Sequence, residues 1–390
     1  MPEPIVGVPA VPDLGDELLG AWADAHGRAA AAVDDLGLVL GHTLRRWYVG
    51  HLVVALAGRS PTLSGLEQPL LVPAPRGFFS EQDHARLAGT AAAFCHVDVR
   101  IMLVRDGFEP AALRPETPFV LHALAESGKT GRDETNPGLF RTRVAGWLET
   151  VSPYVHPPAE LVRPIITELI GHAATSTDPP PALAGWAAFT WMSVHPWVDG
   201  NGRTARLLYL LLTGPHLALD LDYGIVEQFT FRRRDYVAAL QAGQHVTPVY
   251  DPDVLDACPF TTAATEWSIA GAQLMTQRAR LLGIADGHLA GVRPDLDDAQ
   301  RALALWVGLE RLGPASAFAS ALGRDDAVMH APVDELEDLC GRGVLTRRAL
   351  PPSRQPLGRR GAGGGPIGYA PGDDVHAALS EAVRTVASGG

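Results

Sequence analysis

Twelve residues set between two apolar runs constrain this chain more than any other stretch. The segment His195-Pro196-Trp197-Val198-Asp199-Gly200-Asn201-Gly202-Arg203-Thr204-Ala205-Arg206 follows Ala182 to Val194, which reads as a buried helix. It precedes Leu207 to Leu212, which reads as the continuation of another helix. Helix, short polar loop, helix is the resulting order. The loop carries a histidine, an acid, two glycines flanking an asparagine, and two arginines. That inventory suits binding a polyphosphate and moving a proton beside it.

The physical argument for each residue is direct. Gly200 and Gly202 permit backbone conformations closed to other residues and let a ligand approach the main chain. A helix starting near Asn201 would point unpaired N–H groups and a positive dipole end at the loop, which favours an anion there. Arg203 and Arg206 stand three apart, on one face of that helix's first turn. The planar fork of arginine matches phosphate oxygens. Asp199 is a hard oxygen ligand suited to Mg2+ that also takes phosphate oxygens. His195 titrates near neutrality and could take a proton from an attacking hydroxyl. Trp197 reads as a core anchor.

These residues resemble the signature of the Fic family, H-P-F-x-[D/E]-G-N-G-R-x-x-R. The match is complete except at the third position, where Trp197 replaces the usual Phe. The resemblance implies transfer of AMP from ATP to a Ser, Thr or Tyr hydroxyl of a target protein, with release of pyrophosphate. It makes His195 the base and Asp199 the Mg2+ ligand. It places Gly200, Asn201, Gly202 and Arg203 around the phosphates, with Asn201, Gly202 and Arg203 lining the hole for α and β, and it gives Arg206 the γ phosphate. The Doc-like branch, which phosphorylates, usually lacks the second glycine and the last arginine. Both are here, as Gly202 and Arg206.

Two further stretches resemble the family. Upstream, Ser64-Gly65-Leu66-Glu67 is similar to the second half of an inhibitory S-S-x-I-E-G motif, with Leu63 and Gln68 departing from it. The resemblance implies that Glu67 pairs with Arg206 and blocks the γ phosphate. A carboxylate is a sensible plug there because it imitates a phosphate's charge. An ordinary exposed loop glutamate is the other reading. Gly138 to Trp147 and Tyr154 to Pro158 read as short β-like runs around a connection, a hairpin. They resemble the family's flap, so the segment 138–158 is expected to pair with the main chain of the target by strand addition. Scaffold alone is the alternative. Ser127-Gly128-Lys129-Thr130 is not a P-loop: Ala123 stands where the first glycine is needed, and the preceding run reads as helix.

Length and composition frame the rest. A chain of 390 residues exceeds one compact domain. With 46% hydrophobic and 19% charged residues it is globular. A net charge of -12 argues against a general nucleic-acid binder. Lys129 is the only lysine, and with abundant Ala, Gly and Pro this suggests a GC-rich bacterial genome. Cys95, Cys258 and Cys340 are far apart, odd in number and without metal spacing, which fits a reducing cytoplasm. Met1 to Leu14 is Pro-rich and lacks a basic-then-apolar pattern, and no run approaches the ~20 apolar residues of a membrane span.

The expected architecture is mainly α. Residues 1–59 form an N-terminal helical region, 60–285 a Fic-fold helical bundle with a β-hairpin flap, and 286–390 a C-terminal α+β module. That module reads as helices over Asp297–Leu312, Ala315–Leu322 and Val333–Cys340, then strands at 343–348 and 367–370 with a basic tip between them. The order resembles a winged helix. Arg347, Arg348, Arg354, Arg359 and Arg360 would admit DNA phosphate contact. Asp334, Glu335, Glu337 and Asp338 make the third helix acidic and weigh against it. Packing or homodimerisation is the other use. Two function classes follow: an ATP- and Mg2+-dependent protein adenylyltransferase, or a Fic-fold nucleotide-binding regulator acting through the C-terminal module. Removal of AMP from a modified protein (deAMPylation) is a variant at the same site.

Overall fold

The computed structural model describes residues 6–56, 81–127, 137–142, 154–222, 225–247, 249–310, 333–349 and 367–388. Helix dominates them. The order is α1 (Gly15–Asp34), α2 (Gly37–Leu56), α3 (Glu81–Arg105), α4 (Thr117–Glu126), α5 (Ala159–Thr175), α6 (Pro180–Val194) and α7 (Asn201–Thr213). Then come α8 (Ile225–Phe231), α9 (Arg233–Gly243), α10 (Cys258–Val292), α11 (Asp298–Glu310) and α12 (Val333–Gly341). Strands β1 (Leu345–Ala349) and β2 (Ile367–Pro371) and helix α13 (Asp373–Ser388) complete the chain. The fold is mainly α. Among the described residues no helix is long and apolar enough to cross a membrane.

The described chain forms two compact units. The first is built mainly of Ser80–Ala272 with the N-terminal stretch up to Gly27. The second is built mainly of Gln273–Gly390 with Arg28–Leu52.

In the first unit α6 is the core. Nearly every residue from Pro181 to Val194 is buried, Trp186, Phe189 and Trp191 among them, so the helix is apolar on all sides rather than on one stripe. α5 packs along it, with Val162, Ile165, Ile166, Leu169 and Ile170 buried in i, i+3, i+4 order. α7 packs on α6 and buries Leu207 to Leu212. The N-terminal segment is tied into this core: Trp186 Nε1 donates to Pro9 O at 2.7 Å and Tyr250 Oη to Gly7 O at 2.9 Å.

One polar network is buried in the same unit. The Ser268 hydroxyl donates to the Asp222 carboxylate and accepts from Trp22 Nε1 at 2.9 Å. His26 Nε2 lies 2.9 Å from the same hydroxyl and 3.8 Å from Asp222. The Ile225 N–H donates to Asp222 Oδ1 at 3.2 Å. Burial holds the His26 pKa below its usual value, opposed by Asp222. The hydroxyl donates to the acid rather than to the imidazole, so this trio is a structural tie between α1, α10 and the start of α8, not a nucleophile with its base.

In the second unit β1 and β2 pair antiparallel, with Leu345 opposite Pro371 and Arg347 opposite Tyr369. Arg293 binds Asp295 and Asp374, and Arg342 binds Asp295 and Asp338. Arg347 forms an ion pair with Glu337, so part of the basic charge on this hairpin is offset locally. Arg278 is buried with its guanidinium over Trp47 and Tyr48, 5.1 and 4.9 Å from the ring centroids. The expected helix over Ala315–Leu322 and the basic tip with Arg354, Arg359 and Arg360 lie outside the described residues.

Asp222→Ala should lower the stability of the first unit by about 2–3 kcal/mol, since it strands the Ser268 hydroxyl and the Ile225 N–H without their charged acceptor. Urea unfolding followed by tryptophan fluorescence measures it. A midpoint unchanged from wild type would show that the network carries no stability.

Candidate functional site

The polar loop stands where α6 ends and α7 begins. α6 stops because His195 turns left-handed, with φ 51° and ψ 61°, while its N–H still reaches Trp191 O at 2.9 Å. A non-glycine residue in this conformation carries strain and is held by its surroundings. Arg141 supplies the hold. Its Nε donates to His195 O at 2.8 Å, its Nη2 to Pro157 O and to Val194 O, and its own N–H to Pro196 O at 2.9 Å.

Asn201 closes the loop from within. Its Oδ1 accepts from the Trp197 N–H at 2.9 Å and its Nδ2 donates to Trp197 O at 2.8 Å. The Asn201 side chain therefore braces the loop, and its position at the start of α7 offers the main chain to a ligand. Gly200 precedes α7 with φ 84°, and a Cβ there would meet Glu126 Oε1 at 2.7 Å and His122 Cδ2 at 3.0 Å. Only glycine satisfies both the angle and the space. α7 opens at Asn201, and its first intrahelical bond runs from Thr204 N to Gly200 O. The main-chain N–H groups ahead of Thr204 thus precede the helical ladder, at the positive end of a 13-residue helix.

The two arginines have different surroundings. Arg203 is buried, makes an ion pair with Glu126, and lies 3.6 Å from Asp199 Oδ1. Arg206 lies against Gly202, whose added Cβ would be 3.3 Å from Nη1. Burial lowers its pKa, the Arg203 and Arg233 charges lower it further, and Tyr236 opposes them. Arg206 thus sits in a group of like charges. Tyr236 is itself pushed up by burial and pulled down by Arg206.

His195 is 5% exposed. Burial, then the neighbouring His156, press its pKa down to about 3, against a main-chain hydrogen bond at Met192 that favours the protonated form. The imidazole is therefore neutral across the physiological range. The ring of His156 lies 5.1 Å from it, donating from Nδ1 to Ser193 O at 2.8 Å, and burial presses that pKa down to about 4.

Asp199 carries the one loop carboxylate. Its Oδ1 accepts from the Gly200 N–H at 2.6 Å and its side chain is 45% exposed. Among the described residues no group of three or more His, Cys, Asp or Glu could cage a metal. A single exposed carboxylate fits Mg2+, which binds through one or two carboxylates together with substrate phosphates.

No sequence pattern assigned a role to His122, Glu126 or His156, and Arg141 stood only within the β-like run from Gly138 to Trp147. The available signal was in α4: His122 and Glu126 stand four apart, on one face of an otherwise apolar helix. The loop expectation holds in outline, with α7 starting at Asn201. Glu67 and residues 143–153 of the flap segment lie outside the described residues; the described parts on either side, 137–142 and 154–158, contain no strand.

Comparisons with known proteins bear on this region. The sequence profile of the Fic/DOC family matches residues 119–213. No curated protein matches the chain. Among solved structures, a Fic domain containing signaling protein from Bacteroides thetaiotaomicron is 16% identical, covers 65% of this chain and 97% of its own, and gives a TM-score of 0.47. A Fic family protein from Desulfovibrio desulfuricans is 16% identical over 92% of this chain and 89% of its own, with a TM-score of 0.40. Fic-1 from C. elegans is 22% identical over 66% of this chain and 71% of its own, with a TM-score of 0.45. The matched span runs from α4 through the polar loop to the end of α7, and this is the part of the chain that resembles the Fic/DOC family.

Proposed function

We propose that this domain is a protein adenylyltransferase, moving AMP from ATP to a Ser, Thr or Tyr hydroxyl of a target protein. The observation that carries the reading is the state of His195. It is neutral, it ends α6 in a braced turn, and it stands six residues ahead of Asn201, where α7 opens. A protein that only bound nucleotide would not need a base held there.

The chemistry assigned to each group is simple. One ring nitrogen of His195 is engaged by the main chain at Met192, and the other takes the proton of the target hydroxyl. The freed oxygen bonds to the α phosphorus. The bond from that phosphorus to the α–β bridging oxygen breaks, and pyrophosphate leaves. The N–H groups at the start of α7 and the Arg206 guanidinium meet the phosphate oxygens. Mg2+, held by Asp199 and phosphate oxygens, would supply charge neutralisation. Arg203, fixed by Glu126, holds the first turn of α7 in register beneath them. The target segment would lie along residues 138–158, and Glu67 would compete with the γ phosphate for Arg206 as an internal carboxylate. A cytoplasmic setting accords with three free cysteines.

Three outcomes test the proposal. His195→Ala should keep ATP binding and lose AMP transfer by about 10²–10⁴-fold, read with α-labelled ATP in a cell lysate. Label transfer at the wild-type rate would remove His195 from the mechanism. Glu67→Gly should raise incorporation of the label; equal auto- and target modification in both proteins would dismiss Glu67 as a plug.

The third outcome concerns pH. The folded pKa of His195 is about 3 and that of His156 about 4, both below the usual value of 6.5. Between 6.5 and those values the unfolded chain binds protons that the folded chain refuses. Stability is therefore full above pH ~6.5 and drains as pH falls. In the same way kcat/KM, which reports the free enzyme, should stay flat from pH 8 down to about 5. An acid limb near 6.5 would contradict a neutral buried base.

A further inference from the structure

Trp197 is where the loop departs from the family pattern, and the structure shows what the larger ring touches. The imidazole of His122 stacks on it, with ring centroids 4.3 Å apart and planes 9° from parallel. Phe140 also stacks on it at 5.0 Å and 21°, and Phe119 meets it edge-on at 5.5 Å. His122 is 2% exposed.

Both nitrogens of His122 are engaged with main chain. The Gly138 N–H donates to Nδ1 at 2.9 Å, so Nδ1 carries no proton. In the neutral ring the proton is then on Nε2, which donates to Asp199 O at 2.9 Å. Gly138 takes φ 78°, a left-handed conformation that favours glycine. One imidazole on α4 thus joins the segment that enters the flap to the residue that carries the loop carboxylate.

We propose that His122 is a positioning residue that sets these two main-chain points against each other through one fixed tautomer, with Trp197 holding the ring in plane. Asp199 is the acid whose Oδ1 takes the Gly200 N–H, so restraint on its carbonyl orients the carboxylate as well. An outer partner of this kind typically changes metal affinity by about 10–100-fold when removed. The inference rests on the adenylyl-transfer reading only for what Asp199 and residues 138–158 do. The link itself is geometric.

The test compares wild type with His122→Ala and His122→Asn in the full chain. Two quantities are read: binding of Mn2+ in the presence of ATP, and amide hydrogen exchange at Gly138 and Gly200. Asparagine places Oδ1 near the Nδ1 position but falls short of Asp199. In His122→Asn, Gly138 should stay protected, Gly200 should lose protection, and Mn2+ affinity should fall about 10–100-fold. In His122→Ala both amides should lose protection. A folded variant that keeps wild-type exchange at Gly200 and wild-type Mn2+ affinity overturns the proposal; the asparagine variant decides should alanine fail to fold. Were wild type to bind no Mn2+ with ATP, the nucleotide reading would fall, and exchange at the two glycines would still decide the role of His122.

Discussion

One guanidinium sets the geometry of the polar loop. α6 is buried along almost its whole length, so the carbonyls released where it stops cannot turn to bulk water. Arg141 collects two of them, at Val194 and His195, and adds Pro157 from the segment ahead of α5. Burial lowers its pKa, opposed by Glu160, but an arginine keeps its charge under such pressure and presents a rigid fork. A lysine would offer a point charge and no fixed planar set of donors. Because Arg141 fixes those carbonyls, His195 can hold a left-handed turn that its side chain does not favour. The direction of the imidazole is thus decided by a residue 54 positions earlier in the chain.

The braces around the loop form layers. Asn201 fastens Trp197 within the loop, Arg141 fastens the end of α6, and α4 supplies His122 and Glu126 beneath it. Most of these bonds go to main chain rather than to other side chains. The loop can therefore present its own side chains, Asp199 and Arg206, while these braces hold its backbone at Trp197, Val194, His195 and Asp199. Trp197 belongs to this support: it is wholly buried and stacked by two rings. The larger aromatic lies on the protein's inner side, stacked on His122 and Phe140.

The sequence revealed what is local. Two glycines, a histidine and two arginines between apolar runs announced a braced turn into a helix, and α7 begins at Asn201. The helices expected over Asp297–Leu312 and Val333–Cys340 are α11 and α12, within a residue or two at the ends. The partners of the loop were not legible, for a physical reason. His122 meets Asp199 across 77 positions and Arg203 meets Ala125 across 78, and no periodicity encodes such pairs. A polar pair on an apolar helix is equally consistent with a solvated face. Arg141 stood within a run read as β-like, yet its role depends on three carbonyls that only the folded chain brings together.

The charge of the site also has an order that composition hides. Arg203 faces Glu126 and Asp199, so its charge is largely answered within the protein. Arg206 instead has Tyr236, Arg203 and Arg233 among its neighbours; burial lowers its pKa, Tyr236 opposes this, and the two arginine charges add to the lowering. The gradient runs from the answered arginine at the first turn of α7 toward Arg206 and Arg233. Two arginines three positions apart on one helix thus differ in their surroundings: Arg203 meets two carboxylates, whereas Arg206 meets a tyrosine and two cations.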